Sequence, residues 1–146
     1  MNRLRLATYN VALNRPRADD LTTELKEKPE PQVSSLLHVM AHVNADVWVI
    51  NELDYDPGQR ALTAFQARLR EAGMDFPYRF TAPVNTGVPS RRDLVKQDLN
   101  NARETPFGFG DFPGQYGMAV LSKYPIDTTA SRTFQFFKWR DLPGAL

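Results

Sequence analysis

The sequence contains no cysteine in its 146 residues. This absence excludes disulfide bonds, thiolate-bound metals and a cysteine nucleophile, but it does not indicate a compartment. No apolar run approaches the length of a membrane span, and the amino terminus lacks the apolar core of a signal peptide. We therefore expect a soluble, cytoplasmic protein.

Neither sign of charge dominates the chain. Eighteen basic and seventeen acidic residues leave a formal net charge of +1, so no overall field favours a polyanionic partner. Any contact with nucleic acid must therefore be local. The apolar fraction of 42% is ordinary for a globular protein, and the length corresponds to one domain.

Two apolar segments each end in a side chain with a hard oxygen ligand. The segment ADVWVINELD at 45–54 carries Glu52, and LRLATYNV at 4–11 carries Asn10. Buried strands read as continuous apolar runs, so polar side chains at their carboxyl ends are held by rigid elements. Carboxylate and amide oxygens suit Mg²⁺. The pattern predicts a metal site that includes Asn10 and Glu52.

Hydrophobic periodicity predicts strands alternating with helices. The predicted strands are 3–11, 46–51, 78–84, 116–122 and 128–137. The predicted helices are a short one around Leu21 and Leu25 and two amphipathic ones over 33–43 and 62–72. Gly73 is placed to end the last helix. Residues 85–115 have little periodicity, which predicts a long irregular loop.

Three segments, taken in this order, resemble the endonuclease/exonuclease/phosphatase family. They are ATYNV with Asn10, VWVINELD with Glu52, and GQYGMAVLSKYPI at 114–126. Members of this family are Mg²⁺-dependent phosphoesterases related to exonuclease III and deoxyribonuclease I. The resemblance implies an α/β fold of the deoxyribonuclease I type, a four-layer sandwich in which helices cover mixed sheets. Residues 1–146 are expected to form its amino-terminal half.

The resemblance also implies roles for individual residues. Glu52 would bind the catalytic Mg²⁺, with Mn²⁺ as the alternative ion, and Asn10 would act nearby or through water. Asn51 stands where the family usually has Gln before this Glu. A tyrosine that contacts phosphate in several family nucleases corresponds in position to Gln115, with Tyr116 on the opposite pleat. The substrate would be a phosphate ester, with nucleic acid among the candidates.

The second half of the family's site has no counterpart in this sequence. That half ends in a Ser-Asp-His motif, whereas this chain lacks the motif and has no histidine after His42. We therefore expect a chain that is inactive by itself and that self-associates or needs a carboxyl-terminal half. Phe134, Phe136 and Phe137 are expected on an exposed apolar face. The alternative is a non-catalytic binding module that keeps part of the fold.

Simpler interpretations exist for the acidic residues and the histidines. On spacing alone, Glu52, Asp54 and Asp56 form a solvated acidic turn. His38 and His42 are four residues apart on a predicted helix, but the Glu of an H-E-x-x-H metal motif is absent. We favour a structural or surface role for both histidines.

The remaining candidates are clusters in the predicted loop and two tryptophans. The basic cluster is Arg91, Arg92 and Lys96, which could meet a phosphate backbone or form a solvated face. The aromatic cluster is Phe107, Phe109, Phe112 and Tyr116, which could stack on bases, line a pocket or pack the loop onto the body. Trp48 is expected in the core and Trp139 at its rim.

Overall fold

The computed structural model describes residues 3–27, 31–91 and 105–145. Within these ranges the strands are β1 (Leu6–Leu13), β2 (Val47–Leu53), β3 (Tyr78–Thr81) and β4 (Met118–Ser122). The helices are α1 (Asp20–Lys26), α2 (Pro31–Val43) and α3 (Arg60–Glu71), followed by a short 3₁₀ turn at Trp139–Asp141. Arg92, Lys96 and the rest of 92–104 lie outside the described residues.

The strands form one mixed sheet in the order β1-β2-β4-β3. The pairing of β1 with β2 is parallel, and β4 is antiparallel to both β2 and β3. The carboxyl ends of β1 and β2 therefore lie beside the amino end of β4 at the same end of the sheet, where Asn51 pairs with Met118. We call this the polar end of the sheet, because it carries Asn10, Asn51 and Glu52. The mixed sheet and its helices confirm the predicted α/β class.

Helices cover one face of the sheet and build the core there. Side chains along β2 alternate, so that Trp48 and Ile50 are buried whereas Val49 between them is exposed. The buried apolar residues that the helices contribute are Leu21, Leu25, Val33, Leu36, Met40, Ala61, Leu62, Ala64, Phe65 and Leu69. No helix in the described ranges is long and apolar enough to cross a membrane.

The ends of α2 and α3 follow local signals in the sequence. Proline is the first residue of α2, where its missing N–H costs nothing. After α3, Gly73 has φ +81°, its N–H donates to the carbonyl of Arg70, and the N–H of Met74 donates to the carbonyl of Leu69. This pair of bonds is a Schellman motif, and the predicted helix stop at Gly73 is confirmed.

The other face of the sheet carries apolar side chains with no helix over them. Leu6 on β1, Val49 on β2 and Met118 on β4 are all exposed. A cavity of about 650 Å³ lies on this open face, bounded by Val120 and by the segment 132–135. In the described part of the chain, the apolar side chains of this open face are therefore not covered by a second layer of helices or strands.

The strand predicted over 128–137 is wrong. Asp127 begins a turn there, since its carboxylate accepts the N–H groups of Thr129 at 3.0 Å and Ala130 at 3.1 Å. Such local bonds compete with sheet formation and outweigh the alternating pattern. Beyond the turn, Phe134, Phe136 and Phe137 are exposed, as expected.

Other element boundaries differ by a few residues from the sequence-based prediction. The third strand ends at Thr81 rather than at position 84, because Pro83 has no N–H for the ladder. The fourth begins at Met118, since Tyr116 has a left-handed backbone with φ +57°. Trp48 is buried as predicted, but Trp139 is largely exposed instead of packing at the rim.

Candidate functional site

Asn10 and Glu52, the two predicted metal ligands, both lie at the polar end of the sheet. Asn10 and Asn51 are direct partners in the parallel register of β1 and β2, and Glu52 is the next residue of β2. Because β1 and β2 are parallel and adjacent, both residues stand where these two strands end. The sequence pattern thus placed Asn10 and Glu52 at adjacent strand ends, and their roles there stay a prediction.

Both strand ends depart from regular geometry at this point. Ala12 has φ +48° and Glu52 has φ +58°, both in the left-handed region. The register shifts between Asn10 and Leu13, because Leu13 pairs with Leu53 and β1 holds one more residue than β2 in this interval. A non-glycine residue in this conformation costs on the order of 1–3 kcal/mol and is common at functional sites.

Side chains hold the irregular end of β1 in place. The Oδ1 atom of Asn10 accepts the N–H of Ala12 at 3.0 Å, which closes a local turn. From α2, the side-chain amide of Gln32 donates to the carbonyl of Val11 at 3.2 Å and to that of Ala12 at 2.9 Å. These bonds orient Asn10 and leave its Nδ2 group without an acceptor among the described residues.

The carboxylate of Glu52 has no partner among the described residues. Its side chain is half-buried, and within the described residues it makes no hydrogen bond and no ion pair. The neighbouring Asn51 is occupied, because its Nδ2 donates to the hydroxyl of Thr8 at 3.0 Å. A carboxylate that is partly removed from water and lacks a partner is suited to a cation.

Asp54 is not part of a solvated acidic turn. It is 7% exposed, and its two oxygens accept the backbone N–H of Arg15 at 2.8 Å and that of Tyr116 at 3.0 Å. Its own N–H donates to the carbonyl of Leu13 at 3.1 Å. Burial raises the pKa of Asp54, although the hydrogen bonds from Arg15 and Tyr116 oppose the shift.

Asp56 has a different role from Asp54, two residues earlier. Its carboxylate accepts the N–H groups of Arg60 and Ala61, each at 3.0 Å, and so caps the first turn of α3. Burial would raise the pKa of Asp56, but these N–H groups and the Arg60 guanidinium outweigh burial and lower it. The three carboxylates of the acidic segment therefore differ. Glu52 has no partner among the described residues, Asp54 is buried and binds two backbone N–H groups, and Asp56 caps α3.

The position that corresponds to the family tyrosine is structural in this chain. Gln115 is 2% exposed, and its side chain donates to the carbonyl of Arg15 at 2.8 Å and accepts the N–H of Asp111 at 2.7 Å. Tyr116 is the residue presented to the cavity instead. Its ring lies 5.5 Å from that of Phe109, which is 82% exposed.

The sequence did not predict the structural roles of Asp54 and Arg15 at this end of the sheet. The guanidinium of Arg15 is paired with Glu24 on α1 and donates to Gln32 on α2, while its backbone binds Asp54 and Gln115. No local signal separates Asp54 from Asp56, because both are acidic residues after the same strand.

The residues present fit a weakly held divalent cation. In the described part of the chain, no three side chains of the His, Cys, Asp or Glu types are grouped closely enough to hold a metal. His38 and His42 are exposed on α2, as a surface role predicts. Glu52 would offer a divalent cation one carboxylate ligand, whereas the Oδ1 of Asn10 already accepts the N–H of Ala12, so water would have to complete most of the coordination.

Comparison with known proteins agrees with this geometry. The model of the endonuclease/exonuclease/phosphatase family matches residues 7–146 of the chain. The matched region contains β1 from Ala7 onward, the whole of β2, β3 and β4, and the polar end of the sheet. No curated protein and no solved structure matches the chain.

Proposed function

Because the chain belongs to the endonuclease/exonuclease/phosphatase family, we propose that the polar end of its sheet is the metal-binding part of a Mg²⁺-dependent phosphoester hydrolase. Members of the family are generally hydrolases that depend on a divalent metal. The observation that carries the proposal is Glu52, a half-buried carboxylate without a partner in the described residues, held in a left-handed conformation beside Asn10.

In this proposal Glu52 holds the cation, either Mg²⁺ or Mn²⁺. When bound, the ion supplies positive charge against the phosphate oxygens and lowers the pKa of a bound water. Asn10 is fixed by its bond to Ala12, so the fold directs its Nδ2 group, which has no acceptor among the described residues. We assign this N–H group to a phosphate oxygen of the substrate, which it would orient for attack.

The two residues account for only part of a hydrolytic site. Phosphodiester hydrolysis also needs a group that orients the attacking water and one that assists the departing oxygen. The histidine that the family uses has no counterpart after His42 in this sequence. We propose that these groups come from a layer that covers the open face. The substrate is a phosphodiester or phosphomonoester.

Metal binding by the chain itself gives the first test. Binding of Mn²⁺ followed by electron paramagnetic resonance should show a weak site that Glu52→Gln removes. Glu71→Gln is the matched control, because Glu71 is an exposed carboxylate that pairs with Arg68 on α3. Equal Mn²⁺ binding by the wild type and Glu52→Gln would contradict the assignment.

Hydrolysis gives the second test. The release of nitrophenol from bis(p-nitrophenyl) phosphate should require Mg²⁺ or Mn²⁺ once the covering layer is supplied. Glu52→Ala should lower this rate at least about 100-fold, because a site without its ligand loses both metal and orientation. A rate that Glu52→Ala leaves undiminished would overturn the proposal. Mn²⁺ binding without turnover under all conditions would favour the binding module.

A further inference from the structure

The buried carboxylate of Asp54 joins three chain segments at the polar end of the sheet. It lies just after β2, and its two oxygens accept N–H groups from either side of that strand. One N–H belongs to Arg15, which follows β1, and the other to Tyr116, which precedes β4. Each oxygen therefore has its own N–H donor, and an amide side chain in this place would offer only one acceptor oxygen to the two separate N–H groups.

A second buried side chain reinforces the same junction. Gln115 donates to the carbonyl of Arg15, so the backbone of Arg15 is held at its N–H by Asp54 and at its carbonyl by Gln115. Both clamping side chains are more than nine-tenths buried. Bonds of this kind are strong in a site that excludes water, and removing one partner leaves the other unsatisfied.

The backbone on the downstream side of Glu52 is fixed by close contact with the turn before β4. The N–H of Leu53 donates to the carbonyl of Gly117 at 3.2 Å, and the N–H of Tyr55 donates to that of Gly114 at 2.8 Å. A Cβ atom at Gly114 would lie 2.3 Å from the carbonyl oxygen of Tyr55, so only glycine permits this approach. Glu52 is thus the last residue before a tightly held junction.

From this arrangement we infer that Asp54 is a positioning residue of the metal site. Its carboxylate holds the ends of β1 and β4 against β2, and so it fixes the left-handed backbone of Glu52 that aims the metal-binding carboxylate. Gln115 completes the clamp from the other segment. The inference rests on the proposed function, because it assigns Asp54 an effect on a cation that Glu52 holds.

The test measures Mn²⁺ affinity by electron paramagnetic resonance in the intact chain, with folding monitored separately by urea unfolding. Asp54→Asn keeps the size of the side chain but replaces one acceptor oxygen with a donor. We expect it to raise the Kd for Mn²⁺ at least about tenfold, the usual effect of losing a group that orients a ligand. Asp56→Asn is the matched control, because Asp56 also accepts two backbone N–H groups, yet at the start of α3.

Charge alone could also weaken cation binding in Asp54→Asn, and Gln115→Glu separates the two causes. This change adds a negative charge near the site, which by itself would tighten binding. It also removes the N–H group that holds the carbonyl of Arg15. If Asp54 and Gln115 act by positioning, Gln115→Glu should bind Mn²⁺ more weakly than wild type. If charge alone matters, Gln115→Glu should bind Mn²⁺ more tightly. Gln115→Glu also serves as the test if Asp54→Asn does not fold.

The outcomes distinguish this inference from the function on which it rests. Loss of binding in Glu52→Gln, weak binding in Asp54→Asn and Gln115→Glu, and a Kd within about twofold of wild type in Asp56→Asn would support it. If Glu52→Gln loses Mn²⁺ while Asp54→Asn binds as Asp56→Asn does, the positioning role is overturned and the proposed function stands. If Glu52→Gln binds Mn²⁺ as the wild type does, both are overturned.

Discussion

Asn51 donates a hydrogen bond from its side-chain amide to the hydroxyl of Thr8 at 3.0 Å and so ties β2 to β1 one residue before Glu52. The side-chain amide of Asn51 therefore has a defined structural task in this chain. The bond lies on the same face as Asn10, since Asn10 is the register partner of Asn51. A cross-strand tie at this point supports the strand ends that carry the site.

We expect Thr8→Val and Asn51→Leu each to lower the free energy of unfolding by about 0.5–1 kcal/mol, because each removes one partly solvated hydrogen bond. The double variant should lose less than the sum, since both changes break the same bond. Urea unfolding of the four proteins measures the coupling. Strict additivity would show that the two side chains do not interact in solution.

Ala12→Gly tests the strain at the end of β1. Ala12 has φ +48°, which glycine adopts freely and alanine does at a cost of roughly 1–2 kcal/mol. We expect relief of this strain to offset the greater flexibility of glycine in the unfolded chain, leaving stability unchanged or higher. Ala67→Gly, on the exposed side of α3, should lower stability by about 1 kcal/mol. Thermal unfolding showing equal losses would contradict the left-handed conformation of Ala12.

The pH dependence of stability should contain a contribution from Asp56. The hydrogen bonds at the start of α3 and the Arg60 guanidinium outweigh burial, so the pKa of Asp56 is lower in the folded protein than in the unfolded chain. The unfolded state therefore takes up the proton first as the pH falls. The stabilisation is fully present above the unfolded value near 3.8 and is lost as the pH falls below that value through the folded pKa.

Asp56→Ala should remove this contribution and cost about 1–2 kcal/mol at neutral pH, as the loss of a helix cap does. Urea unfolding between pH 2 and pH 7, a range that reaches about two units below and about three units above the ordinary Asp pKa, compares the variant with wild type. The difference between them should shrink at the acid end. A difference that stays constant with pH would show that Asp56 does not titrate with folding.

Association of the chain should depend on the open face of the sheet. Val49 lies on that face and Val39 on the outer side of α2, and both are 43% exposed, so they form a matched pair. We expect sedimentation velocity to show concentration-dependent association that Val49→Lys reduces and Val39→Lys does not. A wild-type chain that stays monomeric at every concentration would contradict association through this face.

Local patterns in the sequence were sufficient to predict the helices, the core strands and the polar ends of β1 and β2. Helical and strand periodicities are properties of neighbouring residues, and so are the proline and glycine signals at α2 and after α3. The placement of Asn10 and Glu52 followed from the same reasoning, because the carboxyl ends of neighbouring parallel strands, here β1 and β2, lie at the same end of a sheet.

The strand predicted over 128–137 failed for the opposite reason. An alternating pattern shows only that a segment could join a sheet, whereas the turn at Asp127 and the availability of a partner strand decide whether it does.

By itself, the sequence determined where the main elements lie and which strand ends carry polar side chains, since these depend on residue type and short-range spacing. Only the tertiary structure decided that Asp54 is a buried clamp and Asp56 a helix cap. Asp54 binds Arg15, 39 residues earlier, and Tyr116, 62 residues later. Partners at such separations meet only after the strands have paired, so no local pattern distinguishes the two carboxylates.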